Sequence, residues 1–364
     1  MTLIGKTLAS YIAWRFVKSL VAMMLLLFFL IVTVDFIENL RRTDGLDVSM
    51  GKVYMASVYT APWFIEKAFP FACLFSAIAT LYQLNQKLEL VVARAAGISA
   101  WQFMMPIAGT SIVIGLFAAM IYNPLAISMY QTSLDTKAEM FGENLRASDK
   151  RAGYWLRQTD ENGGSSVIHS ELVRDEGKLL TNVRVFRFDS QDRLLTRIEA
   201  ASAEYKGDHW HLLDVARTNN DQRVEKLQTL DIPTRISEEY LLGSSGNPEE
   251  ISFWELKNAA RSAAQSGLNA LPFIVKYYSL IALPALLVAM SMIAATVSLR
   301  FARFGGAGKM ILGGIVGGFV LYAVTQFVTS LGSNGMVPPL LAAWSPAFVA
   351  ILIGMSIILH QEDG

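Results

Sequence analysis

Polar and apolar positions sort along this chain into three blocks. The final block is the plainest: no Asp, Glu, Lys or Arg stands between Lys309 and Glu362. A helix needs about 20 mostly apolar residues to cross a bilayer. Gly332-Ser333-Asn334-Gly335 and Pro338-Pro339 interrupt the run, dividing it into residues 310–331 and 340–359, two spans joined by a hairpin. Residues 19–34, 68–86, 101–122 and 277–299 are uncharged stretches of the same kind. The pattern predicts an α-helical membrane protein with six transmembrane helices, three before and three after a polar middle.

That middle changes period. Residues 166–173, 179–188, 194–205, 210–218 and 224–236 are rich in β-branched and aromatic side chains, and alternation is clear in Val183-Arg184-Val185-Phe186-Arg187-Phe188. Asp160-Glu161-Asn162-Gly163-Gly164, Asp175-Glu176-Gly177, Asp189-Ser190-Gln191-Asp192 and Lys206-Gly207-Asp208 are turn sequences between them. Strands at this spacing predict an inserted all-β domain, a sandwich or jellyroll, at residues 135–250. It lies between an N-terminal transmembrane half, 1–134, and a C-terminal half, 251–364. Phe186 and Phe188 are expected on an apolar face that excludes Arg184. Ser252-x-x-Glu255 reads as a capping box opening an amphipathic connector helix that ends near Gly267.

Charge gives the orientation. The chain has 364 residues, 53% of them hydrophobic and 17% charged, with zero net charge, which argues against a nucleic-acid partner. With the N-terminus inside, the short cytoplasmic segments hold Lys6, Arg15, Lys18, Lys87, Arg94, Arg300, Arg303 and Lys309, eight cations. The short outer loops hold three, Arg41, Arg42 and Lys52. The excess puts both termini in the cytoplasm and the β domain outside the inner membrane. Lys6, Arg15 and Lys18 precede the first apolar stretch as in a signal peptide. Asp35-Phe36-Ile37-Glu38 follows where a small-residue cleavage site would stand, so the segment reads as a retained anchor. Cys73, the single cysteine, falls inside a span, which leaves no role for disulfides.

Candidate chemistry is sparse. Gly305-Gly306-Ala307-Gly308-Lys309 resembles a phosphate-binding loop, but Arg303 and Met310 stand where that loop needs Gly and Ser or Thr. The chain therefore has no nucleotide site of its own by that motif, and no catalytic Ser/His/Asp or Cys/His set stands out. His209 and His211 share one face of a strand, but no third ligand is near in sequence. The pair reads as a surface feature, with no metal or cofactor expected. Asp35 and Glu66 lie near the outer edge of spans, where ionisable groups face protein or water and are functional candidates. A salt bridge from either to Lys67 is the alternative. Residues 83–99, between spans two and three on the cytoplasmic side, read as a short amphipathic helix with Gly97 as its C-terminal cap. Such a helix lies in the interface or inserts into a partner's groove.

The stretch Leu88-Glu89-Leu90…Arg94-Ala95-x-Gly97 resembles the coupling helix of the lipopolysaccharide export permeases LptF and LptG. The three-plus-three spans around a β domain, the Arg41-Arg42 pair after span one and Pro338-Pro339 opening span six agree. The similarity runs over essentially the whole chain, and spans five and six are more like the LptG branch. The resemblance implies one permease of an ABC-type exporter, paired with the homologous LptF over a dimer of the ATPase LptB, which binds the ATP. It implies that Leu88, Glu89, Leu90, Arg94 and Gly97 couple to that ATPase. It also implies that the β domain hands lipopolysaccharide to LptC and a periplasmic β-jellyroll bridge. Family members often carry a lysine near the outer end of span one, where this chain has Asp35. An acidic amphiphile needs an apolar cavity and a cationic rim. Arg41, Arg42, Lys52 and Lys67 are candidates for that rim, with Asp35 and Glu66 beside it. A membrane-anchored sensor with an outer β ligand-binding domain is the alternative, or a secondary transporter; the latter wants ionisable groups near mid-membrane.

Overall fold

The computed structural model describes residues 5–43, 48–141, 154–159, 164–174, 178–189, 191, 193–219, 224–234, 247–265, 269–302 and 307–363. The glycine-rich segment at 303–306 and the turn sequences at 160–163 and 175–177 lie outside them. The chain divides into two units. One comprises Met1–Ser133, Ser252–Trp254 and Ile274–Gly364; the other comprises Leu134–Ile251 and Glu255–Phe273.

The helices are α1 (Lys6–Arg42), α2 (Met50–Gln86), α3 (Glu89–Ala95), α4 (Ala100–Phe117), α5 (Asn123–Phe141), α6 (Phe253–Gln265), α7 (Leu271–Ala302), α8 (Ala307–Ser333) and α9 (Pro339–Asp363). A π-helical turn, Ala118–Tyr122, joins α4 to α5 without a break. Among the described residues six helical segments are long and apolar enough to cross a membrane, each around one of the expected stretches. They outrun those stretches. At 1.5 Å per residue the 37 residues of α1 and of α2 extend about 56 Å, against about 30 Å of hydrocarbon, so their ends project from it.

In the helical unit α2 is the hub. Its most apolar stretch is 67% buried, that of α1 only 11%. Leu74, Ala77 and Leu81 of α2 pack with Ile12 and Phe16 of α1, Phe103 and Ile107 of α4, and Leu287 and Met290 of α7. Lipid tails are as apolar as these side chains, so close approach and polar contacts must hold such helices together. Both are present. A Cβ at Gly115 would lie 2.5 Å from Pro284 Cα, so glycine is what lets α4 meet α7. Beside that contact Cys73 Sγ, Ser111 Oγ and Ser291 Oγ form a buried cluster across α2, α4 and α7, the two hydroxyls 2.9 Å apart.

Among its described residues the second unit holds six antiparallel strands in consecutive order, β1 (Tyr154–Thr159), β2 (Ser165–Arg174), β3 (Leu179–Phe188), β4 (Leu194–Tyr205), β5 (His209–Asn219) and β6 (Val224–Pro233). The inserted all-β character follows the expectation; β1 is an additional strand. Ile168, Leu180, Val183, Val185, Ile198, Trp210, Leu212 and Val215 form its core. A crease crosses the sheet. Asn182 and Asp214 adopt left-handed backbone angles, and the register omits Asn182, Ala201 and Asp214. Burial parity switches there, from Leu180 to Val183 on β3 and from Leu212 to Val215 on β5. One unpaired residue per strand bends the sheet and re-aims its faces, as a bulge does.

Period two also corrects one expectation. Residues 184, 186 and 188 share a side, so Phe186 lies with exposed Arg184. The core residues of that strand beyond the crease are Val183 and Val185, each 1% exposed.

Candidate functional site

The segment between α2 and α4 is a helix bounded by two backbone devices. Leu88 takes φ 56°, which ends α2 and starts α3 in a new direction. A left-handed leucine costs about 1–2 kcal/mol, so the surrounding structure must hold it. At the other end Gly97 has φ 83°. Its N–H donates to Arg94 O at 2.9 Å, and Ile98 N–H donates to Ala93 O at 3.1 Å. Those two bonds make the Schellman closure, so Gly97 caps the helix as expected. Ser99 and Gln102 then close a reciprocal capping box that opens α4. The expected helix over 83–99 is thereby shortened to Glu89–Ala95, because residues 83–86 complete α2 and Leu88 breaks the run.

Two faces of α3 differ. Leu90 is 5% exposed and belongs to the core of the helical unit. Leu88, Val91 and Val92 are 61%, 53% and 67% exposed, an apolar face on a segment that also carries charge. Glu89 is not a free carboxylate. Arg15 Nη1 pairs with it at 3.2 Å, and Tyr11 Oη donates to it at 3.0 Å, so α1 grips the start of α3. Its side chain is nonetheless 33% exposed, against 13% for Arg15. Arg94 sits half-buried in the last turn, where a cation complements the helix dipole.

A second charged cluster surrounds Glu66 on α2, which is 9% exposed. Asn123 Nδ2 donates to both of its oxygens at 3.0 and 2.9 Å, and Lys276 Nζ of α7 lies 3.6 Å away. Asn123 stands just after the π-helical turn, and its Oδ1 accepts the Phe253 N–H at 2.8 Å. Trp254 Nε1 donates to Met120 O, a carbonyl inside that turn. The π turn thus redirects backbone and side-chain groups onto the start of α6, in the way such turns mark special sites. The expected partner of Glu66, Lys67, lies elsewhere: its Nζ sits 3.6 Å over the Trp63 ring. Sequence reasoning missed Lys276 and Asn123, since no local pattern links either to Glu66.

The remaining candidates scatter. Asp35 accepts from Asn39 Nδ2 at 2.7 Å, and Asn39 donates also to Ser57 Oγ on α2. Arg41 and Arg42 both pair with Glu38, at 3.1 and 2.9 Å, and remain 77% and 54% exposed. Two guanidinium groups on one carboxylate keep a net positive charge. Lys52 and Lys67 are exposed on α2, about 22 Å apart along its axis, so the four cations do not form one cluster. In the β unit, His211 Nδ1 lies 2.6 Å from Asp231 Oδ1, and the His209 ring, 2.6 Å from Asp208, holds that carboxyl below its ordinary value.

A six-span membrane subunit with an inserted antiparallel β domain, and a short exposed helix between its second and third spans, is built as a transport-type permease. The sequence matches the lipopolysaccharide export system permease LptF/LptG family over residues 10–360, and the chain belongs to that family. Curated relatives agree. The lipopolysaccharide export system permease protein LptG of Escherichia coli K12 is 23% identical over 336 residues, 90% of this chain and 91% of that protein. The protein of the same name from Haemophilus influenzae is 23% identical over 362 residues, 98% and 99% of the two chains.

Proposed function

We propose that this chain is the LptG-type permease subunit of an ABC exporter that extracts lipopolysaccharide from the bacterial inner membrane and passes it to a periplasmic β-jellyroll bridge. Family membership and the names of the relatives support the substrate. The charge asymmetry supports cytoplasmic termini and a periplasmic β domain. The homologous permease LptF, the LptB ATPase dimer and LptC are the partners this reading implies.

The observation that carries the energy-coupling part is α3. Its exposed Leu88, Val91 and Val92 suit a groove on a soluble partner, while Leu90 and the Arg15–Glu89–Tyr11 contacts tie the helix to the span bundle. Motion imposed on α3 would reach α1 and α2 directly. Glu89 keeps lone pairs beyond those contacts for a basic group of the ATPase, since a carboxylate offers about four acceptor sites. Energy then enters through the partner's nucleotide site, with this chain non-catalytic. On the outer side, Arg41 and Arg42 are the exposed cations best placed for lipid A phosphates, with Lys52 next.

Two substitutions test the reading. Val91→Asp with Val92→Asp, in the chain expressed with its partners, should abolish ATPase co-purification while the permease still inserts. Charge reversal at Arg41 and Arg42 should lower lipopolysaccharide crosslinking more than protein level. Full ATPase recovery with the first pair, and unchanged crosslinking with the second, would overturn the two halves separately.

A further inference from the structure

We infer that the outer face of β5 and β6 is a binding site for one borderline transition-metal ion, of which zinc is the type, with His209, His211 and Asp231 as ligands. The inference is independent of the export reading. The sequence offered two histidines and no third ligand; the sheet supplies it. Trp210 and Leu212 are buried, so His209 and His211 both point to the opposite face, about 7 Å apart at their roots. Asp231 is the register partner of His211 on β6, and directly opposed residues hold their Cβ atoms about 4.5–5.5 Å apart. Three donors thus stand at the corners of a triangle on two hydrogen-bonded strands. One ligand atom from each lies within 4.8 Å of the others.

The distances suit an ion. Donors around a tetrahedral zinc at about 2.0–2.1 Å stand about 3.3 Å from one another. His211 Nδ1 and Asp231 Oδ1, now 2.6 Å apart, need to open by less than 1 Å. His209 needs only a side-chain rotation, since its ring is a third exposed. Asp208 Oδ1 lies 2.6 Å from His209 Nδ1, and an Nδ1–H bond there leaves the Nε2 lone pair for the metal. A carboxylate behind a ligating imidazole is the usual orienting arrangement. Glu204 is the register partner of His211 on β4 and is ion-paired with Lys206 at 2.5 Å, so that pair leaves the local charge to Asp231 and Asp208. Two imidazoles and one carboxylate select zinc, copper or nickel over calcium or magnesium, which prefer all-oxygen shells. Open positions remain for water. The bound ion would clamp β6 to β5 at the end of the sheet.

The test uses the full-length chain in detergent, without a histidine tag and stripped with chelator, titrated with zinc against a chromophoric competitor. One equivalent is expected. His209→Ala or His211→Ala should remove it, Asp231→Asn should weaken or remove it, and Asp208→Asn should weaken it about 10–100-fold. The other two histidines of the chain, His169 and His360, serve as controls whose Ala variants retain the equivalent. X-ray absorption on the loaded wild type should show two imidazole shells, a readout that needs no variant. No bound equivalent, an equivalent that survives His209→Ala with His211→Ala, or an oxygen-only shell would each overturn the assignment.

Discussion

Glu66 and Glu89 each meet a cation from another helix, yet the two clusters are built differently. Glu66 is 9% exposed and holds two amide bonds from Asn123 as well as Lys276. Glu89 is a third exposed, and its partners Arg15 and Tyr11 both come from α1. The first cluster satisfies a charge where water is scarce, so loss of any member unbalances the rest. The second leaves part of the carboxylate available for exchange with another protein. The difference teaches how one chain can set a fixed, fully satisfied cluster beside one that stays open to further contacts.

The sharpest way to break that contrast is Glu66→Ala. Removing one partner of a buried pair costs about 3–5 kcal/mol, because Lys276 and Asn123 both lose the carboxylate they share. A clear drop in the detergent unfolding temperature is expected, and Glu66→Gln combined with Lys276→Met should recover much of it. An unchanged midpoint in the alanine variant would show that the cluster carries no structural weight. Next is Gly97→Ala, which forces a side chain into the left-handed region at a cost of about 1–2 kcal/mol. Its effect should be confined to faster amide exchange over residues 89–98.

Glu89→Ala should cost less stability still, about 0–1 kcal/mol, because Glu89 is a third exposed and the more buried Arg15 keeps its bond to Tyr11. It should nevertheless uncouple ATP hydrolysis from export or weaken assembly. A fold defect as large as that of Glu66→Ala would erase the distinction between the clusters. The smallest effect belongs to the β3–β4 turn. Asp189 accepts the backbone N–H groups of Arg193 and Gln191 and the Arg193 guanidinium, which hold its carboxyl below the ordinary value. A carboxyl lowered on folding stabilises above its unfolded pKa and stops doing so as pH falls through its folded value. Asp189→Asn should therefore lower stability slightly at neutral pH and not at all in strong acid, as denaturant titration of both forms would show.

The sequence made legible whatever rests on local pattern. Uncharged runs located all six spans, and Gly97 was readable as a cap because only glycine takes φ 83° freely. Alternation located five strands, while β1, short and aromatic at its start, had no comparable period. What stayed hidden depends on contacts far apart in the chain. Lys276 lies 210 positions from Glu66, and nothing in span two points to it. Arg15 read as an orientation signal, yet it is the partner of Glu89. The crease through Asn182 and Asp214 shifts burial parity within single strands, which a strict period of two cannot anticipate. Asp231 became a neighbour of His211 only through the β5–β6 register.

Docking of α3 onto a cytoplasmic ATPase is the central claim, and a photo-crosslinking amino acid at position 91 or 92 tests it most directly. The measurement is made on the full-length chain in its native membranes, with adducts identified by mass spectrometry. The account predicts one dominant protein adduct, an ATPase with a nucleotide-binding site, obtained at both positions and lost when the probe is moved to core residue Leu90. Adducts to lipid alone, or to a protein without a nucleotide site, would contradict it.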